Sequence, residues 1–552
     1  MIENSDKKVI LNTEKSHNTP GWNEFVKPFH ETARRKYLFW KELGSPRNGV
    51  AYQQMVQSRR EFKRALDTCK NMKDVILKNK IGRDMNSKKP WKTINKVRKQ
   101  KPKISVSVNG VSGEREIAEI WREHYANLMS GEGHPPVNEL DNQNYQTLRE
   151  IPKVTVNDVQ NAMKDLSLNS SPGLDNVTGD HLRFAHPAIY VHLSLLFTAM
   201  FRHMYIPSCL TDIKICNLVK DQHKSLSELS NYRPIALASI ISKLFECIIL
   251  KRCINNLKTT DNQFAYKSQH STDMALFLLK QTIEAYRSKN TPVFLCTMDL
   301  SKAFDRVCHQ KLFNILKRRQ VPDYIIAVLR YWYSSQKFQV SWGNAISSPF
   351  STGCGIRQGS VLSALLFSVY MDDLSTKILH KENGCTIGDT RINHIFYADD
   401  LILLAPSVKA LQNLIDKCST YFNEHFLSVN IMKTKVVCIR PKRMIYHGEP
   451  QLYINNIELE VVKSFKYLGM EINDSLTDDS HIATLYRGQC MRSNILNRNF
   501  KICDNNVKVK HFKSFCTSIY GIPLSLACRD ESMRKLKVCY NNSLRFLMGI
   551  EI

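Results

Sequence analysis

Two hydrophobic rhythms alternate along the chain. From 22 to 128 the apolar positions sit among lysines and arginines with helical spacing, and 52–81 contains no proline, which predicts basic helices. Trp22, Phe25, Phe29, Tyr37, Phe39 and Trp40 are the aromatic positions of this region. They read as the apolar stripe of a helical bundle, with stacking on nucleic-acid bases as the alternative. Asn109-Gly110 predicts a hairpin within 106–113, because both residues accept the positive φ of a tight two-residue turn. Gly131, Gly133, Pro135 and Pro136 mark 131–144 as a linker. Beyond it, short apolar strands alternate with helices as far as 475, and 480–552 returns to basic helix. The chain stops inside an apolar pattern (Leu544, Phe546, Leu547, Met548, Ile550), so a truncated C-terminus is expected.

Composition narrows the class. With 552 residues, 43% of them hydrophobic and 23% charged, the chain has the balance of a folded protein with more than one core. A net charge of +27 favours a polyanionic partner, since each phosphate neutralised releases condensed counterions. The charge is concentrated: residues 1–103 hold 26 Lys and Arg against 10 Asp and Glu, a net of +16. The basic runs at 96–99 and 101–103 suit phosphate contacts or nuclear import. The 16 cysteines are scattered without Cys-x-x-Cys spacing, which argues against a zinc site or disulfide framework and for a reducing compartment. The start offers only Val9-Ile10-Leu11 as an apolar run, and nowhere do apolar residues reach the roughly 20 of a membrane span. A soluble, intracellular protein without membrane association is expected.

Two strand-like runs end in acids. The first, 293–299, is apolar up to Asp299; the second, 395–404, sets Asp399 and Asp400 between two hydrophobic runs, the pattern of a hairpin with acids at its turn. Unpaired carboxylates at the ends of buried strands are costly, and divalent ions that prefer oxygen ligands relieve the cost. Two such ions about 4 Å apart activate a hydroxyl nucleophile and stabilise departing pyrophosphate. Phosphoryl transfer needs little beyond positioning and charge neutralisation. A second acidic pair, in Tyr370-Met371-Asp372-Asp373, lies in a run without strand alternation. A helix there would splay the two acids by about 100°, so Asp372 and Asp373 are set aside.

Eight motifs then follow in order. They are Ser171-Pro172-Gly173-Leu174-Asp175, Asn231-Tyr232-Arg233-Pro234-Ile235, Gln263-Phe264-Ala265-Tyr266-Lys267 and Met298-Asp299-Leu300-Ser301-Lys302-Ala303-Phe304-Asp305. After them come the segment 355–363 with Gln358-Gly359, Tyr397-Ala398-Asp399-Asp400, the segment 430–435, and Phe465-Lys466-Tyr467-Leu468-Gly469. Together they resemble the reverse transcriptases of non-LTR (LINE-type) retrotransposons, most strongly over 155–475.

The resemblance implies an α+β right-hand polymerase: fingers, a palm with an antiparallel sheet, a partial helical thumb, and a basic helical N-terminal extension. The implied division is 1–150 extension and linker, 151–475 fingers and palm, 476–552 thumb. It implies an RNA-directed DNA polymerase, a nucleotidyltransferase working on an RNA template and DNA primer with dNTPs and two Mg²⁺ ions, Mn²⁺ being a substitute. It places the protein in the nucleus and cytoplasm. By the same resemblance Asp299, Asp399 and Asp400 are catalytic and bind metal with the Leu300 carbonyl. Lys220, Arg233, Phe304, Gln358, Gly359 and Lys433 contact the nucleotide, and Phe465, Leu468 and Gly469 belong to the primer grip. Phe304 would exclude a 2′-hydroxyl by its bulk, Arg233 would fork the triphosphate, and Lys433 would protonate pyrophosphate. Solvated lysine is the plain alternative for Lys433, and core packing for Phe304.

Departures from the family pattern are Arg357, Ala364, Ala265, Lys267 and Asn176; none removes a metal ligand. Residues 1–150 look too short and too basic for the endonuclease that most relatives carry, so an element product lacking one is expected. An RNA-dependent RNA polymerase is the enzymatic rival, opposed by Phe304 and the 465–469 segment. A non-catalytic nucleic-acid binder, either a maturase or a decayed copy, is the other.

Overall fold

The computed structural model describes residues 22, 25–85, 105, 107–135, 151–166, 171–379, 384–441, 448–500, 503–517, 520–521, 524–525 and 527–550. The expected linker beyond residue 135 and the basic runs at 96–99 and 101–103 lie outside them. The chain forms two compact units, one from 1–102, 484–519 and 534–552, the other from 103–483 and 520–533.

In the first unit, helices Lys27–Glu42 and Val50–Met85 make a hairpin whose connection is tied by Trp40 Nε1 donating to the Pro46 carbonyl at 2.9 Å. Val26, Met55, Ala65 and Cys69 are buried, but Phe25, Phe29, Tyr37 and Phe39 are exposed. The aromatic set is therefore not one buried stripe. A two-helix hairpin offers a single narrow seam, too small to enclose rings from all sides of one helix. Farther on, Leu496, Phe500, Val507, Phe512, Cys516 and Leu547 build a small core among C-terminal helices. Among the described residues no cysteine forms a disulfide, Cys490 and Cys539 included, whose Sγ atoms lie 3.4 Å apart.

The second unit contains two main sheets. A four-stranded sheet runs Tyr232–Leu237, Asp212–Val219, Lys337–Trp342, Ala345–Ile346. The expected hairpin Ser107–Val108/Val111–Ser112 and helix Glu114–Leu128 pack here, with Trp121 and Tyr125 joining Tyr232 and Trp342 in one core. Within the expected 1–150 extension, residues 107–128 therefore pack on this sheet, whose face needs these aromatics to close its core.

A five-stranded sheet runs His394–Tyr397, Asp400–Ala405, Val293–Met298, Lys435–Ile439, Glu460–Val461, antiparallel except for the last pair. Strand alternation sends Phe294, Cys296, Met298, Leu401 and Leu403 into one core and Val293, Leu295, Ile402 and Leu404 into another. Burial on both faces explains why these strands read as continuous apolar runs. Asp372 and Asp373 lie in helix Ser363–Leu379, as their run implies. Among the described residues no helix is long and apolar enough to cross a membrane.

Candidate active site

The strand register assembles the acids. Met298 pairs with Leu401, so Asp299 comes opposite Asp400 one step further along. Tyr397 pairs with Asp400, which leaves Ala398 and Asp399 as the two-residue turn, with Ala398 at φ 57°. The turn is braced from outside the hairpin. Buried Gln263 accepts from the Ala398 N–H at 3.1 Å and the Ala265 N–H at 3.0 Å, while Phe264 and Phe396 exchange backbone bonds with their neighbours across the gap.

Asp299 is fixed through its backbone: its carbonyl accepts from Asn430 N–H at 2.7 Å, and Ser301 N–H donates to the Ser428 carbonyl at 2.8 Å. Those bonds flank Leu300, which bridges to Val429, so the Leu300 carbonyl is turned to the opposite side. Lys433 Nζ stands 3.4 Å from Asp299 Oδ2.

The carboxylates repel one another. Burial, and after it Asp299, raises the Asp399 carboxyl above its usual range against the pull of its own backbone N–H and Arg233. Partial burial, then Asp399 and Asp299, push Asp400 up to about 6, although its side chain keeps one side open to solvent. Oxygen-only donors under mutual repulsion fit a divalent cation, which would relieve that repulsion. Among the described residues no three such side chains already converge as a closed ligand set.

Cations lie beside the acids. Asn231 clamps the 220–225 loop, donating to the carbonyls of Asp221 (2.8 Å) and Ser225 (3.2 Å) and accepting from Asp221 N–H (3.0 Å). The loop leaves Lys220 at the end of one strand and Arg233 on the next, both exposed. Burial, then Lys302, Arg233 and Lys433, lower the Lys220 pKa from its ordinary value, which marks four positive charges in one neighbourhood. Gln358 reaches the same place, its carbonyl accepting from Ala236 N–H at 2.8 Å. Gly359 has φ 109°, and a β-carbon there would stand 3.0 Å from the Ala236 carbonyl oxygen, so a side chain would be strained by its backbone and crowded by the strand.

A family model for "Reverse transcriptase (RNA-dependent DNA polymerase)" matches residues 220–472, which holds all of these acids and cations. Over these residues the chain is similar to reverse transcriptases. The probable RNA-directed DNA polymerase from transposon BS of Drosophila melanogaster is 28% identical over 72% of this chain and 44% of its own length. The RNA-directed DNA polymerase from mobile element jockey of Drosophila funebris is 25% identical over 83% of this chain and 52% of its own. The Pol polyprotein of type-1 retrotransposable element R2 from Popillia japonica is 27% identical over 54% and 42%. The chain spans about half the length of the curated relatives it matches.

Within the matched residues, Phe304 is half-buried and its ring stacks on Phe367 at 4.3 Å. Phe465 is buried in the core below the 394–405 hairpin, so the exposed members of that motif are Lys466 and Gly469, with Leu468 half-buried in the turn between Ser464–Tyr467 and Met470–Asn473. Tyr467 reaches the 394–405 hairpin, its hydroxyl donating to the Ile395 carbonyl at 3.3 Å. The departure at Arg357 has a structural partner: Arg357 is buried, pairs with buried Glu246 at 2.5 Å and lies over the Trp332 ring. Three participants were not singled out from sequence: Gln263 as the brace of the turn, Lys302 as a cluster cation, and Asp305. All three sit inside quoted motifs, yet spacing alone assigns them nothing.

Proposed function

We propose that the chain is the RNA-directed DNA polymerase of a non-LTR retrotransposon, adding dNTPs to a primer 3′-hydroxyl on an RNA template. The observation that carries this reading is the meeting of Asp299, Asp399 and Asp400 at one strand end beside Lys220, Arg233, Lys302 and Lys433. Asp299, Asp399, Asp400 and the Leu300 carbonyl would hold two Mg²⁺ ions, for which Mn²⁺ can substitute. Bound there, the ions supply charge for an ionised hydroxyl and for leaving pyrophosphate.

The chain's own groups do the rest. Lys220 and Arg233 hold the triphosphate, Arg233 with a bidentate fork. Gln358 and the backbone at Gly359 line the nucleotide's other side. The Phe304 ring, backed by Phe367, occupies the volume a 2′-hydroxyl would need. Lys433, next to Asp299, is placed to give a proton to pyrophosphate. The turn at Leu468 and Gly469 holds the primer strand. In this reading 151–475 serve as fingers and palm, 476–552 as thumb and 1–150 as a basic extension, in a protein of nucleus and cytoplasm.

Primer extension on an RNA template tests it. The wild type should extend with dNTPs, Asp299→Ala and Asp399→Ala should abolish extension, and Phe304→Val should lower the ratio of kcat/KM for dNTP over rNTP. Normal extension by folded Asp399→Ala would sink the assignment, and a wild type preferring rNTPs would favour an RNA polymerase.

A further inference from the structure

One acid in the cluster faces cations without belonging to the group that meets at the strand ends. Asp305 is 3% exposed, and its Oδ1 accepts from Gln358 Nε2 at 2.9 Å. Its backbone is held on both sides: Asp305 N–H donates to the Lys302 carbonyl at 3.0 Å, and its carbonyl accepts from Cys354 Sγ at 3.4 Å. Gly355 packs so tightly that a β-carbon there would lie 2.8 Å from the Asp305 carbonyl oxygen. The carboxylate therefore has a fixed address. Burial pushes its carboxyl up to about 6, while the Gln358 amide and the charges of Lys302, Lys220 and Arg233 favour the ionised form. Lys220 in turn is repelled by Lys302, Arg233 and Lys433 and steadied by Asp305. Lys302 has a further neighbour in His124, whose Nε2 lies 3.3 Å from its Nζ.

Resting on the polymerase reading above, we propose that Asp305 is a positioning residue of the phosphate-binding cluster. Its carboxylate fixes the Gln358 amide and offsets one of the four positive charges facing the incoming triphosphate and the departing pyrophosphate. The two tasks use different properties of the same group. Fixing Gln358 requires an acceptor atom, which an amide oxygen also provides. Offsetting charge requires the negative charge itself. Without Asp305, Lys220, Lys302 and Arg233 would lose the buried anion nearest them, and the cluster would hold pyrophosphate more strongly after each addition; one buried anion weakens that hold without occupying the phosphate's place.

Two variants separate the tasks. Asp305→Asn keeps the acceptor and loses the charge; Asp305→Ala loses both. Inorganic pyrophosphate is titrated into each protein by calorimetry at pH 8 in chelator, so that neither primer extension nor divalent ions enter. Both variants should bind it on the order of fivefold more tightly than the wild type. In steady-state primer extension, Asp305→Ala should raise the dNTP KM about tenfold through the unanchored Gln358, whereas Asp305→Asn should not raise it. Asp305→Asn is near-isosteric and removes a buried charge, so its folding is not at risk. Should Asp305→Ala not fold, Asp305→Ser, too short to reach the Gln358 amide but still polar, takes its place and should raise the KM alike. Pyrophosphate bound no more tightly by Asp305→Asn would overturn the charge role, and an unchanged dNTP KM in folded Asp305→Ala would overturn the anchoring role. Tighter pyrophosphate binding in a protein that extends no primer would support the charge role while sinking the polymerase reading.

Discussion

Two of the chain's three Asp-Asp pairs lie 27 residues apart, at 372–373 and 399–400, and their surroundings give them opposite economies. The Asp372 side chain is 4% exposed, pairs with Arg319 at 2.6 Å and accepts from the N–H and hydroxyl of Thr260. Asp373 pairs with Arg318 at the surface. Asp399 and Asp400 instead face other acids, and their raised pKa values mark groups the fold holds at a cost. Removing Asp372 takes the ion-pair partner from Arg319 and the acceptor from the Thr260 N–H, so Asp372→Ala should lose about 3 kcal/mol of stability. Asp373→Asn should change neither stability nor primer extension appreciably, and Asp399→Ala should stay at least as stable as the wild type while losing activity. Urea unfolding checks all three; an Asp372→Ala protein unfolding like the wild type would show that the buried pair is idle.

At the scale of elements, the 394–405 hairpin that carries the acids depends on a neighbour remote in sequence. Gln263 accepts from Ala398 N–H, 135 residues away, and that bond holds the turn that carries Asp399. Gln263→Leu would strand two buried N–H groups, at about 1–3 kcal/mol each. The turn would shift, and primer extension should fall by on the order of tenfold or more. Gln263→Glu, which keeps an acceptor, should retain most activity, and wild-type extension by Gln263→Leu would remove the bracing role. The hairpin itself was legible, because its apolar runs flank the acids and the pairing is local. The brace was not, since one side-chain oxygen reaching across the fold leaves no periodic trace; Asp305 was hidden for the same reason. The basic helices at 27–42 and 50–85 were legible from their spacing, but which rings they bury was not, because that depends on how narrow their shared seam is.

At the scale of the molecule, charge is the leading feature. The net +16 of residues 1–103 falls largely on a unit that also contains 484–519 and 534–552. Deleting the segment would take away part of that unit's fold, so neutralising its surface is the cleaner test. Arg34, Arg35, Arg59, Arg60, Lys63 and Arg64 are all exposed. Changing these six to glutamine should weaken RNA binding and flatten the slope of log affinity against log salt by up to about 4, at roughly 0.7 per single-strand phosphate contact. An unchanged slope would reduce these residues to solvated surface.

The pairing of Met298 with Leu401 also determines what the coding sequence can tolerate. A one-codon insertion or deletion within 401–405 slides the strand by one place, exchanging the residues that fill the two cores. Asp400 then loses its place opposite Asp299, although every carboxylate is still encoded. The same event at the exposed turn Gly388-Asp389 shifts no buried strand. A gene copy can thus keep Tyr-Ala-Asp-Asp intact in an open reading frame and still be dead, silenced by three nucleotides a few codons downstream.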